Sequence, residues 1–322
     1  MSAQAMLKLL AQGPVEKADA LSTLGLSASA WADALENLRA AGIEIIACDD
    51  QRFTLAQPIE WLDRDAILAA LPLQAREQLQ SLVLTFETDS TQQQALSTST
   101  PEQGCALWLA ERQTAGQGRR GSRWISPLAA NLMLSLSRRF DGGYDALTGL
   151  SLAVGVAAAE ALHSLGHESV RVKWPNDLVV DGRKLGGILV NLRGNSRGPA
   201  EAVIGLGLNV HMPAIGAADI DQPWCDLAML DGGIAPSRNR VAAALLAHLL
   251  PALSLFDREG LTPFLSRWQQ LDALLGRRVQ VRDGAQNVEG IALGVDARGA
   301  LRLRTDAGEK IYHGGETSLR PA

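Results

Sequence analysis

The chain has 322 residues, of which 47% are hydrophobic and 20% charged, with a formal net charge of −5. That length supports two or three domains with a large core, and the composition is ordinary for a soluble globular protein. The acidic balance gives no global attraction to nucleic acid or membrane, so any such contact must come from a local patch. Cys48, Cys105 and Cys225 are far apart and form neither a disulfide framework nor a zinc pattern, as expected of a reducing cytoplasm. His163 and His167 share a helical face and read as a solvated pair. Neither a signal peptide nor an apolar run long enough to span a membrane is apparent, so the expectation is a cytoplasmic protein.

In chain order, residues 3–12 carry an apolar helical period broken by Gly13-Pro14. A second helix is expected from Lys17 to Leu24, closed by Gly25. A third is expected from Ala28 to Ala41, with Ser27 as N-cap and Gly42 as C-cap. Ile43–Ala47 and Arg52–Leu55 flank the polar turn Asp49-Asp50-Gln51 and predict a hairpin. Three helices and a hairpin predict a winged helix-turn-helix over residues 1–62. Its candidate DNA-facing residues are Ser29, Trp31 and Arg39 on the third helix. Yet residues 1–60 hold only four basic residues against eight acidic ones, which disfavours a phosphate backbone.

After a helix at 63–71, strands are expected at Leu82–Glu87, Cys105–Glu111, Leu132–Leu136 and Val170–Val172, with a long helix over 145–165. Asp181-Gly182 signals a two-residue hairpin between Leu178–Val180 and Gly187–Val190. Ala202–Val210 returns after a turn at Gly194–Gly198, and helices follow at 237–257 and 261–274. From Arg277 the runs are short and alternating: Val279–Val281, Val288–Leu293, Leu301–Leu303 and Lys310–Tyr312. Turns at Asp283-Gly284 and Arg298-Gly299 separate them, which predicts a five-stranded SH3-like barrel. The expected fold is α+β: a winged helix over 1–62, a mixed-sheet domain over 63–274 and a small barrel over 275–322.

Residues 111–127 read Glu-Arg-Gln-Thr-Ala-Gly-Gln-Gly-Arg-Arg-Gly-Ser-Arg-Trp-Ile-Ser-Pro. Gly116, Gly118 and Gly121 permit close backbone approach, and Arg119, Arg120 and Arg123 add guanidiniums, so the loop suits a phosphate. Gly116–Gly121 matches G-x-G-x-x-G, but no apolar helix follows, so the dinucleotide fingerprint does not apply. Trp124 offers an aromatic face for a flat ring. Lys173-Trp174-Pro175-Asn176-Asp177 combines a cation, an amide and a carboxylate, a set suited to a nucleotide triphosphate with magnesium. Lys184 enters an apolar strand between small residues, where it either snorkels or points into a site. Asp89-Ser90-Thr91-Gln92 can cap a helix or bind a polar ring.

These motifs, with Ile204-Gly205-Leu206-Gly207-Leu208-Asn209, resemble the biotin protein ligases over the whole chain. With the winged helix in front and the barrel behind, the likeness is to the bifunctional bacterial type that joins ligase to biotin-operon repressor. The resemblance implies ATP and Mg²⁺ as cofactors and biotin as substrate. It implies partners too: the biotin carboxyl carrier domain of acetyl-CoA carboxylase, a second copy of the chain when adenylate is bound, and operator DNA. Ser90, Thr91, Gln92, Gln113, Gln117, Gly118, Arg119 and Lys184 would bind biotin. Gly116, Arg120, Gly121, Trp124, Lys173, Asn176 and Asn209 would surround ATP or the adenylate, with Asp177 for the metal. Lys184 and Arg119 would be catalytic. Two departures stand out: the family's usual loop has an arginine where this chain has Gln117, and its usual Asp-Ser-Thr-Asn ends here in Gln92. A lipoate ligase, and a ligand-sensing winged-helix regulator without catalysis, remain alternatives.

Overall fold

The computed structural model describes residues 2–194, 198–213, 220–283, 286–314 and 318–321. At the N-terminus, α1 (Ser2–Leu10), α2 (Lys17–Leu24) and α3 (Ala28–Ala40) pack with a three-stranded sheet. Its strands are β1 (Val15–Glu16), β2 (Ile45–Ala47) and β3 (Arg52–Leu55), in order β1-β3-β2. Ser27 caps α3 as expected, its hydroxyl accepting from Ala30 N. Strand β1 was not foreseen: two residues directly after Gly13-Pro14 are too short to show a period. Trp31 is 2% exposed and packs edge-on against Phe53 at 5.5 Å. It is therefore a core residue and cannot face DNA, whereas Ser29 and Arg39 are exposed.

Helix α4 (Arg64–Ala70), capped by Asp63, and α5 (Leu73–Glu77) lead into β4 (Leu79–Thr88). The remaining elements of the central unit begin with α6 (Thr91–Ser97), β5 (Cys105–Gln113), β6 (Asn131–Phe140), α7 (Leu150–His163) and β7 (Arg171–Lys173). They continue with β8 (Asp177–Val180), β9 (Arg183–Gly194), β10 (Ala200–Asn209), α8 (Leu227–Leu230), α9 (Arg238–Glu259) and α10 (Leu265–Leu271). The seven strands run β4-β5-β6-β10-β9-β8-β7. Only the β4–β5 pair is parallel, so the sheet is mixed. Seven consecutive residues of β5 are buried, which is why that strand reads as an apolar run rather than an alternation. Asp181 and Gly182 take left-handed φ values of 50° and 75°, the turn that Asp-Gly predicts. The turns at Gly194–Gly198 and Asp283-Gly284 include positions outside the described residues.

The expected helix over 145–165 is interrupted at Gly149, whose φ is 84°, and that over 261–274 splits into a short 3₁₀ turn and α10. Two helical stretches, Tyr144–His163 and Arg238–Glu259, are long and apolar enough to cross a membrane, contrary to expectation. Most of each lies inside the protein, where α7 and α9 pack on one another and on the sheet.

The last unit is a five-stranded antiparallel sheet of β11 (Arg278–Asp283), β12 (Gln286–Val295), β13 (Leu301–Thr305), β14 (Gly308–Tyr312) and β15 (Ser318–Pro321). Its order is β14-β13-β12-β11-β15. Its Val279, Val281, Leu301 and Leu303 join the core of the central unit. The N-terminal unit keeps a separate core, into which Leu128 of the central unit inserts. A buried ion pair, Arg238–Glu111 at 2.8 Å, braces the same junction, and Glu111 also accepts from Leu62 N at 2.6 Å.

Candidate active site

One cavity of about 480 Å³ gathers most of the residues picked out in the sequence. Ser90, Thr91, Gln92, Gln113, Gln117, Gly118, Arg119, Arg120, Trp124, Asn176, Asp177 and Lys184 all line it. They come from the β4–α6 turn, the end of β5, the loop after it and the β7–β8–β9 ladder. Antiparallel pairing of β8 with β9 sets Asp177 opposite Gly187, and a register shift after Leu178 brings in Lys184.

At the charged side, Lys184 Nζ lies 2.9 Å from Asp177 Oδ1 and 5.8 Å from the Trp124 ring centroid. The lysine backbone is pinned twice: its N–H donates to Pro223 O and its carbonyl accepts from Cys225 N, each at 2.9 Å. It is a placed cation and not a snorkelling one. Arg119 donates to Asn176 Oδ1 at 3.2 Å and to Gly314 O of the C-terminal unit. Burial, and then the neighbouring Arg120, press the Arg119 guanidinium below its usual pKa, with Asp177 opposing. Cations held close together in partial burial favour a polyanionic ligand.

The other side is neutral. Thr91 N and Thr91 Oγ1 donate to Gln113 Oε1 at 2.8 and 3.0 Å. Thr91 Oγ1 also lies 2.9 Å from Ser135 Oγ, which donates to Gln92 Oε1 at 3.0 Å. Ser90 occupies the N-cap position of α6 without a side-chain cap bond, so capping does not explain its hydroxyl.

The glycine loop folds on itself as a hairpin. Trp124 N donates to Gly116 O at 2.9 Å and Gly118 N to Ser122 O at 2.7 Å. A Cβ at Gly116 would meet Trp124 O at 2.8 Å, and one at Gly118 would meet Ser122 Oγ at 2.6 Å. Gly116 therefore serves the fold of the loop and does not line the cavity; Gly121, with φ 72°, is likewise a turn residue outside it. Arg120 adopts φ 57°, a left-handed conformation unusual for a side-chain-bearing residue. The Trp124 indole rests on a floor of Gly187 and Gly207, which face one another across β9 and β10. Its Nε1 is buried without an acceptor among the described residues.

Two further expected residues lie outside that lining. Lys173 ends β7 outside the cavity lining. Asn209 is buried, gives its Nδ2 to Cys225 O at 3.0 Å, and borders an adjoining cavity of about 60 Å³. Met212, Ile220 and Trp224 also border only that second space, and Arg123, Trp124, Ile125, Lys184, Asp221 and Gln222 are shared by both. Sequence reasoning missed Met212, Ile220, Asp221, Gln222 and Trp224, and it missed Ser135, Gly187, Gly205 and Gly207 of the main cavity. The alternation Gly205-Leu206-Gly207 within a strand was the available signal, since glycine there marks a close approach. No cluster of three metal-ligating side chains exists among the described residues. Asp177 beside Asn176 fits Mg²⁺, which keeps several waters and takes one or two carboxylates plus substrate phosphates.

The pattern of the biotin/lipoate A/B protein ligase family matches residues 85–209, and that of the biotin protein ligase C-terminal domain matches residues 274–320. The chain is 39% identical over 318 residues to the bifunctional ligase/repressor BirA of Escherichia coli, covering 98% of this chain and 97% of that one. It is 32% identical to the biotin–[acetyl-CoA-carboxylase] ligase of Paracoccus denitrificans, covering 71% and 96%. The structure of the Aquifex aeolicus biotin protein ligase with biotin and ATP superposes with a TM-score of 0.64 at 25% identity, over 76% of this chain and all of that one. With cavity, sheet and sequence in agreement from end to end, the chain belongs to the biotin protein ligase family.

Proposed function

We propose that this chain activates biotin with ATP to biotinyl-5′-AMP and transfers the biotinyl group to a lysine of a biotin carboxyl carrier domain. The observation that carries this reading is one cavity joining the buried neutral Thr91–Ser135–Gln113 cluster to the cationic Arg119–Lys184 pair. The neutral cluster suits a ureido ring, and the cations suit a carboxylate meeting a phosphate.

In the first step the biotin carboxylate oxygen attacks the α-phosphorus and pyrophosphate leaves. Two anions must meet, so Lys184 and Arg119 stabilise the charge that builds between them. Magnesium, held near Asp177 and Asn176, supplies further neutralisation when bound. In the second step the acceptor amine attacks the acyl carbon of the mixed anhydride, and AMP leaves with the bonding electron pair. The folded loop 116–124, with Trp124 on its glycine floor, keeps water from the anhydride. Gln117 approaches the carboxylate and phosphate through its backbone, which makes the missing arginine there tolerable, while the Gly118 N–H, donated to Ser122 O, shapes the loop. Asn209 acts from the adjoining cavity, and Lys173, in register with Asp177 on the neighbouring strand, acts from outside the lining.

The lipoate alternative fits less well. A dithiolane ring has no N–H or C=O, so the buried hydroxyls and amides would lose partners on binding it. A sensor without catalysis would need no fixed cation at a phosphoryl centre. ATP–pyrophosphate exchange tests the reading: exchange dependent on biotin supports it, and none in folded protein refutes it.

The N-terminal unit reads as a winged helix-turn-helix over 1–62, the central domain as 63–274 and the last sheet as an SH3-like barrel over 275–322. Operator binding by an adenylate-bound dimer is weak or conditional. Trp31 is withdrawn into the core, and Arg52 at the wing is held by Asp49 at 2.7 Å. Two-fold symmetry doubles the few contacts that remain, including Ser29 and Arg39. Fluorescence anisotropy on the organism's own biotin-synthesis promoter should show at most weak binding that requires biotin and ATP. Nanomolar, sequence-specific binding would contradict this.

A further inference from the structure

Gln92 stands where the family resemblance expects asparagine, and the structure assigns its extra methylene a task. Its Nε2 donates to Val203 O and to Asn191 Oδ1, each at 2.9 Å. Both amide hydrogens are thereby committed to oxygens of β10 and β9. Flipping the amide would set oxygen against oxygen, so Gln92 Oε1 is fixed toward Ser135 as an acceptor. Gly205 makes this reach possible, because a Cβ there would lie 2.6 Å from Gln92 Oε1.

The consequence runs through two hydroxyls. Gln113 Oε1 already accepts from Thr91 N, so its oxygen also faces the pair. Three contacts join Gln113, Thr91, Ser135 and Gln92, yet the two hydroxyls own only one hydrogen each. When both hydrogens turn outward to the amide oxygens, the lone pairs of Thr91 and Ser135 are left as acceptors in the cavity wall. Ser135 is 1% exposed and Thr91 2%, so water cannot freely serve them.

We propose that Gln92 is a positioning residue. By holding the hydrogen of Ser135, it presents the Thr91–Ser135 hydroxyl pair as hydrogen-bond acceptors to the N–H edge of the ligand's ring. This rests on the ligase reading above.

The test is biotin-dependent pyrophosphate exchange with the full chain, measuring KM for biotin and for ATP separately. Gln92→Met keeps the length and removes both amide ends. It should raise KM for biotin by about tenfold, the weight of one buried hydrogen bond, while KM for ATP changes less than about threefold. Ser135→Ala should have a similar effect. Because Gln92 acts through Ser135, the double variant should lose little more than Ser135→Ala alone. Gly205→Ala, which presses on Gln92 Oε1, should also raise KM for biotin, and Gln92→Asn should relieve it in the pair. Melting curves identify any variant that fails to fold, and the Gly205→Ala and Gln92→Asn pair then decides. Equal shifts in both KM values, or additive losses in the double variant, would overturn the proposal. Wild-type protein without biotin-dependent exchange would overturn the ligase reading itself.

Discussion

Lys184→Ala should cripple adenylation far more than transfer. The ammonium is fixed at 2.9 Å from Asp177, and its backbone is hydrogen-bonded on both sides to the 223–225 segment. It therefore needs no reorganisation when two anions meet beside it. A unit charge about 4 Å from a developing charge is worth about 4 kcal/mol at an effective dielectric near 20. Removing one such fixed stabiliser lowers rates by about 10²–10³-fold. The variant also leaves the Asp177 carboxylate unneutralised against the substrate phosphates, which places the loss at the upper end of that range. Single-turnover formation of biotinyl-AMP from biotin and ATP measures the first step. Supplying biotinyl-AMP directly isolates transfer to the carrier, which should fall less than about tenfold because no α-phosphoryl charge builds there. Lys184→Arg keeps the charge and should recover part of the loss. Adenylation by Lys184→Ala within about fivefold of wild type would refute the assigned role.

Arg119→Ala removes the bonds to Asn176 Oδ1 and Gly314 O that pin the loop, so biotinyl-AMP should escape and modify bystander lysines; labelling confined to the carrier would refute the retention role. Gly207→Ala sets a Cβ 2.5 Å from the Trp124 ring on a backbone paired on both sides. The indole must move, and adenylate dissociation measured by stopped-flow should quicken by at least about tenfold, with a stability cost of about 1–3 kcal/mol. Burial raises Asp272 to about pKa 6 against the opposing bond from Leu274 N. The folded chain thus binds this proton more tightly than the unfolded one. That stabilisation is present below about pH 4 and is lost as pH rises through 6, a span of about 3 kcal/mol. Asp272→Asn should raise the melting temperature at pH 8 and lose that advantage near pH 4; a pH-independent difference would refute the assignment.

Much of the site was legible because its chemistry is local. Gln117-Gly118-Arg119-Arg120 and Lys173-Trp174-Pro175-Asn176-Asp177 announce charge and turn geometry in a few consecutive residues. The Asp181-Gly182 hairpin follows from left-handed φ alone. Ser135 and Asn191 were not legible, since a polar residue inside a strand has no sequence sign of which hydroxyl or amide it will meet. Trp31 illustrates the opposite failure. Its place at the start of the third helix suggested DNA, but Trp31, Ala34, Leu35 and Leu38 repeat with the spacing of a buried helical face. The roles of Gly116 and Gly118 also changed, because whether a glycine yields to a ligand or to its own loop depends on where Trp124 and Ser122 fold back.

ATP–pyrophosphate exchange, run side by side with biotin and with lipoate, bears most directly on the central claim. The Thr91–Ser135–Gln113 cluster beside Lys184 and Arg119 predicts exchange with biotin and almost none with lipoate. Exchange driven equally by both acids, or by neither, would contradict it.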